Sequence, residues 1–467
     1  MAAQRPQLSR LALFHQEHLL AHWDTLTDLQ RHGLAAQIDG IDFAELAVLY
    51  KNRDRLNDVA AMLERAKEPF AYRLGDDVNA ISRSDAGQAG RDALAAGKVA
   101  ALVVAGGQGT RLGFDHPKGM FPIGPVGGTT LFQIHIERIL ARSRQYGQSI
   151  PCCVMTSPAT HEETVDFFAK NDRFGLAESD LLVFCQGTMP VVSLADGKVL
   201  LAAPDQIAMS PDGHGGMLAA FHASACLDRL CDRGIETLFY FQVDNPLVDI
   251  ANEEFLGYHL LSRSELTSQV VRKQTPQDRV GNIVNIDGRL HVIEYSDLPD
   301  AFSESRKPDG SLEIWAGSIA VHLMSLEFLK RQAVHKSSLP FHIAKKAVSY
   351  LDASGRLAEP SEPNAIKFER FIFDLLPAAA NAVVVEVDPH YHFAPLKNAS
   401  GSPTDSPESV RQQLSDIFVE WLTQAGVQVA PGVWVEISPL FAHTPETLAE
   451  RLSQGRVPRF IEKDTRL

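Results

Sequence analysis

The sequence predicts an α/β protein on a mainly parallel mixed sheet, with a helical N-terminal extension and a small C-terminal α+β appendage. Three observations predict it. From Lys98 onward, short apolar, β-prone runs alternate with longer amphipathic segments. The first 95 residues instead place Leu, Ala, Gln, Glu and His at helical spacing, and a Ser/Pro/Gly-rich loop, Gly401–Pro407, sets off the last stretch. Continuous apolar runs separated by helices are the pattern of strands buried on both faces.

The elements follow in order. Leu11, Phe14, Leu19 and Leu20 share one helical face, and Phe43, Leu46, Leu49 and Tyr50 another. Strands are expected at Val99–Ala105, Cys152–Met155, Leu181–Phe184 and Thr237–Val243, with helices at Thr130–Tyr146, Ala159–Asn171 and Gly216–Arg233 between them. Later strands are expected near Gln269–Lys273, Gly281–Ile286, His291–Tyr295, Ile314–His322 and Val383–Val387, and beyond the loop a helix at Glu408–Gly426 and a strand at Val433–Ile437. The expected partition is an extension at 1–95, a core at 96–388 and a C-terminal domain at 389–467.

Composition bounds the function. The 467-residue chain is 45% hydrophobic and carries a net charge of −14, which disfavours a nucleic-acid polymer or an anionic membrane surface as partner. It does not exclude a small anion held by a few placed cations. His, Gln and Glu interrupt the N-terminal apolar residues, so no signal peptide is expected, and no run approaches the ~20 apolar residues of a membrane helix. The five cysteines form no C-x-x-C pair, and adjacent Cys152 and Cys153 sit in an apolar, β-prone run. Reduced thiols and a cytoplasmic address are expected.

The most informative segment is Ala101–Gly124, ALVVAGGQGTRLGFDHPKGMFPIG. An apolar strand runs into Gly106, Gly107, Gln108, Gly109 and Thr110, where glycines admit close approach and backbone N–H groups can hold phosphate oxygens. Arg111 and Lys118 add cations to the same loop, and Pro117 stiffens the approach to Lys118. The spacing fits neither a G-x-x-x-x-G-K-[ST] loop nor G-x-G-x-x-G. Further on, Phe239–Asn245 ends an apolar strand in Asp244, a carboxylate placed for a cation bound to substrate phosphates.

GGQGTRLG followed by PKGM resembles the nucleotide loop of the UDP-sugar pyrophosphorylases, most closely the eukaryotic-type UDP-N-acetylglucosamine branch. The resemblance implies a Rossmann-like nucleotidyltransferase (GT-A-like) core that joins UTP to a sugar 1-phosphate and releases pyrophosphate. It implies that Gly106, Gly107, Gln108, Gly109 and Thr110 wrap the UTP phosphates while Arg111 and Lys118 neutralise them, and that Lys367 holds the α-phosphate or the sugar phosphate. Gln186 in FCQGTMP would read the uracil edge, Gly213 would approach uracil, and His214 would face ribose or sugar. Gly281, Glu294 and Trp315 would border the sugar, and Lys397 would bind phosphate. Asp244 would hold Mg²⁺, with Mn²⁺ able to substitute; Asp249 and Asp374 are weaker candidates for a second carboxylate.

Two positions depart from the acetylglucosamine branch. His214 stands where that branch carries Asn, and Trp315-Ala-Gly-Ser318 replaces Asn-Ala-Gly-Asn. The expected sugar is N-acetylglucosamine 1-phosphate, and the departures keep a UDP-glucose or broad-specificity enzyme as the alternative. A metal-dependent glycosyltransferase would show D-x-D where this chain has Val243-Asp244-Asn245. A non-catalytic UDP-sugar sensor would be free to lose Arg111, Lys118 or Asp244, and all three are present. No protein partner is evident.

Overall fold

The computed structural model describes residues 6, 8–53, 59–75, 79–334 and 339–467. Residues 1–5, 7, 54–58 and 76–78 of the expected 1–95 extension lie outside that set. The chain forms two compact units: residues 59–185, 218–336 and 375–467 make the larger, and residues 1–58, 186–217 and 337–374 the smaller. These units cut across the three consecutive segments expected from composition.

The larger unit is an eleven-stranded mixed sheet. Its strands are β1 Ala66–Lys67, β2 Ala71–Tyr72, β3 Val99–Val104, β4 Cys152–Thr156, β5 Leu181–Cys185, β6 Thr237–Gln242, β7 Leu266–Arg272, β8 Gly281–Ile286, β9 Arg289–Ile293, β10 Ala316–Ser325 and β11 Ala382–Glu386. The main path runs β2-β11-β7-β10-β6-β3-β4-β5, and β1, β8 and β9 branch from β10. The neighbours β6-β3-β4-β5 are all parallel, whereas β10 runs antiparallel to both β6 and β7. Of these, β3, β4 and β6 are apolar runs buried almost throughout, because both faces are covered. Cys152 and Cys153 are buried in β4, as their apolar context predicts.

Helices α1 Arg83–Ala95, α2 Leu131–Tyr146, α3 His161–Lys170, α4 Glu253–Leu261 and α5 Pro407–Gln424 belong to this unit. Thr130 caps α2 by accepting from the Gln133 N–H, and Gly147 ends it in the left-handed region. The expected helix Gly216–Arg233 is instead two short helices, Met217–Ala223 and Cys226–Asp232, broken at Ala225, whose φ is 57°. The C-terminal residues pack into the same hydrophobic core as the sheet: Val410, Leu414, Ile417, Val435 and Leu448 join Ile123, Leu131 and Val154.

Helices α1 and α4 cross with backbones in contact. A Cβ on Gly257 would lie 1.7 Å from the Ala86 carbonyl oxygen, and one on Gly90 would lie 1.8 Å from that of Glu253. Neither neighbour can rotate away. Gly257→Ala is therefore expected to destabilise the protein by roughly 1–3 kcal/mol, seen as a lower denaturation midpoint. Gly33→Ala, a helical position with nothing within 4 Å, is expected to be neutral or stabilising. Equal effects at both positions would contradict the packing.

His135 and His259 are deeply buried in this unit. Burial pushes His135 down to about 3, although the Val243 carbonyl 3.0 Å from its Nε2 favours the protonated form, and burial pushes His259 to about 4. Both pKa values are depressed in the fold, so the folded state resists taking up protons that the unfolded chain accepts. Their contribution is intact above about 6.5, the unfolded value, and is lost as pH falls toward the folded ones. Thermal midpoints are expected to fall between pH 6.5 and 4, each histidine costing about 2 kcal/mol at pH 5. His259→Asn should flatten the profile, and an unchanged profile would contradict this source.

The smaller unit gathers distant segments. Helices Asp28–Asp39 and Phe43–Lys51 pack with a sheet of Val192–Ser193, Ala365–Arg370 and Phe341–Lys346, and the hairpin of Thr188–Pro190 with Met209–Pro211 lies in the same unit. Its core joins Leu11, Leu19, Trp23, Leu34, Ile38 and Phe43 to Val192, Val199, Ile366 and Phe368. The first helices are thus integral to a folded unit. Among the described residues, no helix is long and apolar enough to cross a membrane.

Candidate active site

In the larger unit the functional residues gather where β3 and β6 end. Beyond β3 the glycine-rich segment folds back on itself: the Gly109 N–H donates to the His116 carbonyl at 2.9 Å, and the Lys118 N–H to the Gly107 carbonyl at 3.0 Å. Ser157 Oγ donates to the Gly106 carbonyl at 2.7 Å. These bonds close a loop in which Gly107, Gln108, Thr110 and Arg111 remain exposed. Arg111 makes no ion pair with another described residue. The loop thus presents backbone polar groups and an uncompensated cation to solvent, the elements of an anion cradle.

Lys118 opens a short 3₁₀ turn and points toward the end of β6. Its Nζ lies 3.7 Å from Asp244 Oδ2 and 3.3 Å from the Leu396 carbonyl. Both side chains are mostly buried, so solvent screens this pair weakly. Asp244 caps no helix; Asn252 caps α4. Its own carbonyl accepts the Leu396 N–H at 2.8 Å, which brings the segment carrying Lys397 to the strand end. Sequence reasoning missed the side chain that secures this. Asn245, buried, donates to the His392 carbonyl at 2.8 Å and accepts the Ala394 N–H at 3.0 Å.

It also missed Asp405. The N–H groups of Lys397 and Asn398 both donate to the Asp405 carbonyl at 2.9 Å, and Asp405 has φ 56°. Burial raises its carboxyl, Lys397 pulls it back, and the charge of Asp244 raises it further. Lys118, Asp244, Lys397 and Asp405 are therefore one electrostatic cluster. The two other carboxylates considered are engaged elsewhere. Asp249 binds Arg142 and Asn252, each at 2.7 Å, and Asp374 binds His342 at 2.7 Å.

The described residues contain no group of three or more ligating side chains. Mg²⁺ does not require one, because it commonly takes one or two carboxylates with phosphates and water completing its octahedron. Asp244, at the strand end beside Lys118, fits that requirement.

Gly281, Glu294 and Ser318 come together on β8, the residue after β9, and β10. A Cβ on Gly281 would lie 3.6 Å from Glu294 Oε1 and 3.9 Å from Ser318 Cβ. Ser318 pairs with Gly281 in the sheet and is a polar side chain beside Glu294. Trp315 requires a correction. Its indole is 2% exposed and lies under the Arg73 guanidinium, 3.8 Å from the ring centroid, with Arg272 at 5.6 Å. Both arginines bind Glu386, at 2.6 and 3.1 Å. The side chain is enclosed in this cation–π stack, so it offers no surface to a sugar.

The smaller unit holds the remaining candidates. Gln186 is 8% exposed and precedes the Thr188–Pro190 strand. Gly213 has φ 83°, and a Cβ there would lie 2.4 Å from the Arg370 carbonyl, so only glycine lets this loop lie against the 365–370 strand. The Arg370 N–H donates to the Asp212 carbonyl at 2.7 Å. His214 stacks on Phe371 with a 16° interplanar angle, and its Nδ1 accepts the Ile372 N–H at 3.2 Å. Burial, helped by His342, pushes it down to about 4. It is therefore a neutral imidazole with its proton on Nε2 at physiological pH. Lys367 is half-buried on the 365–370 strand.

A closed glycine loop after a central parallel strand, with a lysine–aspartate pair at the neighbouring strand end, is the geometry of a nucleotide-phosphate site. The model of the UTP–glucose-1-phosphate uridylyltransferase family matches residues 63–406. The chain belongs to this family. Among relatives of the uridylyltransferase, the human UDP-N-acetylhexosamine pyrophosphorylase-like protein 1 is 35% identical over 99% of this chain and 98% of its own length. The UDP-N-acetylglucosamine pyrophosphorylase of Saccharomyces cerevisiae is 35% identical over 77% of each chain. The crystal structure of the uridine diphosphate N-acetylglucosamine pyrophosphorylase from Trypanosoma brucei superposes with a TM-score of 0.81 at 25% identity, covering 98% of this chain and 97% of that one. The Lys118–Asp244 pair and both residues sequence reasoning missed lie inside the matched segment of this uridylyltransferase.

Proposed function

We propose that this uridylyltransferase makes UDP-N-acetylglucosamine and pyrophosphate from UTP and N-acetylglucosamine 1-phosphate. The observation that carries the chemistry is the Lys118–Asp244 pair beside the closed glycine loop. The sugar rests on the relatives named for UDP-N-acetylglucosamine and on the Gly281–Glu294–Ser318 corner, where polar groups can take hydroxyl and acetamido bonds.

The sugar phosphate is an anion that attacks the α-phosphorus of UTP in line with the departing pyrophosphate. The nucleophile is already ionised, so no general base is needed, and charge neutralisation is the main problem. The backbone of residues 106–110 binds the phosphate oxygens, and Arg111 supplies an exposed cation. Lys118 stabilises charge that moves onto the pyrophosphate, and Lys397 adds a second amine, its main chain held by the Asp405 carbonyl. Asp244 orients Lys118 and is the carboxylate for Mg²⁺ or Mn²⁺, which when bound supplies Lewis-acid neutralisation of the phosphates. In the smaller unit, Gln186 offers a donor and an acceptor for a base edge, Lys367 a phosphate contact, and His214 a neutral N–H donor for a hydroxyl. The five cysteines are all free, which goes with a reducing, cytoplasmic location.

Pyrophosphate release with UTP and each of N-acetylglucosamine, N-acetylgalactosamine, glucose and galactose 1-phosphate tests the assignment. The expected order has N-acetylglucosamine 1-phosphate first in kcat/KM. Preference for glucose 1-phosphate would overturn the sugar assignment and leave the transfer chemistry in place.

A further inference from the structure

Helices α2 and α5 border a cavity of about 260 Å³ whose lining includes none of Lys118, Asp244, Lys397 and Asp405. Its wall divides by chemistry. Ile417, Phe418, Trp421 and Pro445 give an apolar, aromatic side, and Arg138 gives a cation. Arg138, Phe418 and Trp421 also line a narrower recess bounded by Gly124, Pro125 and Thr129, in the loop between Lys118 and α2. A carboxylate, Glu436, pins that loop by accepting the Val126 N–H at 2.9 Å, the Gly127 N–H at 2.6 Å and the Thr129 hydroxyl.

Arg138 is under-used for a half-buried guanidinium. Its Nη1 donates to the Val248 carbonyl at 2.6 Å, and no described carboxylate hydrogen-bonds to it. The nearby acids are engaged by others. Asp249 borders the cavity, but one oxygen takes Arg142 and the other Asn252; Glu253 takes Arg142 and the Tyr146 hydroxyl. Burial pushes Arg138 down to about 10, more than the field of Asp249 restores, so the cation is charged at neutral pH and poorly compensated. His443, on the same wall, is pushed to about 4 by burial and by Arg142 and adds no competing charge. Small-molecule sites combine this kind of apolar lining with a few directed polar groups. A guanidinium with spare donors suits a carboxylate, and the indole and phenyl faces suit an aromatic ring.

We propose that this cavity is a second small-molecule site and takes an aromatic monocarboxylate, its carboxylate on Arg138 and its ring against Phe418 and Trp421. The site does not depend on the sugar or the metal assigned above.

Isothermal titration of the full chain with phenylacetate and its neutral isostere phenylacetamide tests this, with and without saturating UDP-N-acetylglucosamine. Phenylacetate is expected to bind one-to-one, at least about tenfold tighter than phenylacetamide, in both conditions. Arg138→Met should weaken phenylacetate by roughly 10–100-fold and leave phenylacetamide unchanged, the loss expected for a hydrogen bond to a charged group. Trp421→Ala should weaken both probes about fivefold, and it decides the matter if Arg138→Met does not fold. Absence of phenylacetate binding, equal affinities for the two probes, displacement by the nucleotide sugar, or unchanged binding in whichever variant folds would each overturn the proposal.

Discussion

Lys118→Met is expected to lower kcat by roughly 10²–10³-fold at saturating UTP, the usual loss when one preorganised stabiliser of transition-state charge is removed. The Lys118 amine reaches the Asp244 carboxylate at 3.7 Å and the Leu396 carbonyl at 3.3 Å. Methionine keeps the stem and its packing, and the turn that begins at Lys118 is held by backbone bonds that the substitution leaves alone. The departing pyrophosphate carries more charge in the transition state than the same phosphates do in bound UTP. An interaction that strengthens with that charge lowers kcat when lost, and changes KM less. Initial rates of pyrophosphate release across UTP concentrations separate the two. A variant with raised KM and wild-type kcat would make Lys118 a binding residue only.

Asp244→Asn is expected to cost on the order of 10²-fold or more in kcat, because a bound cation supplies several kcal/mol of charge stabilisation and each 1.36 kcal/mol is tenfold in rate. The substitution is isosteric, and Asp244's main-chain bond to Leu396 does not involve the carboxylate. The signature is therefore in the metal dependence. The free Mg²⁺ concentration for half-maximal rate should rise steeply in the variant, and chelation of divalent ions should stop the wild-type enzyme. Rates plotted against free Mg²⁺ check this. A variant slower at every Mg²⁺ concentration but half-saturated at the wild-type value would place the ion elsewhere and leave Asp244 as a support for Lys118.

Much of the larger unit was legible in the sequence. β3, β4 and β6 are continuous apolar runs, since strands buried on both faces admit little else. The loop cations and Asp244 were legible because they sit next to those runs. Other features were not, for identifiable reasons. The break at Ala225, where φ is 57°, has neither glycine nor proline to announce it. The smaller unit depends on pairing residues 365–370 with 192–193 and 341–346, and no local pattern carries pairing across such a separation. Trp315 was read from its position in a motif, whereas the residues enclosing it, Arg73, Arg272 and Glu386, come from three distant places in the chain. Asn245 and Asp405 were hidden for the same reason. Each bonds main-chain groups of the 392–398 segment, Asn245 through its side-chain amide and Asp405 through its carbonyl, and only the fold reveals them. Asn245 had one local signal, its place beside the strand-end aspartate.

The central claim is that this chain transfers a uridylyl group directly from UTP to a sugar phosphate. A ³¹P NMR time course of the full-length protein with UTP, Mg²⁺ and N-acetylglucosamine 1-phosphate tests it most directly. The predicted result is that the sugar phosphate resonance decays while a pyrophosphate resonance and the paired diphosphate resonances of UDP-N-acetylglucosamine grow in equal amounts. UTP left unchanged beside this sugar phosphate and the three others, with the protein folded, would contradict it.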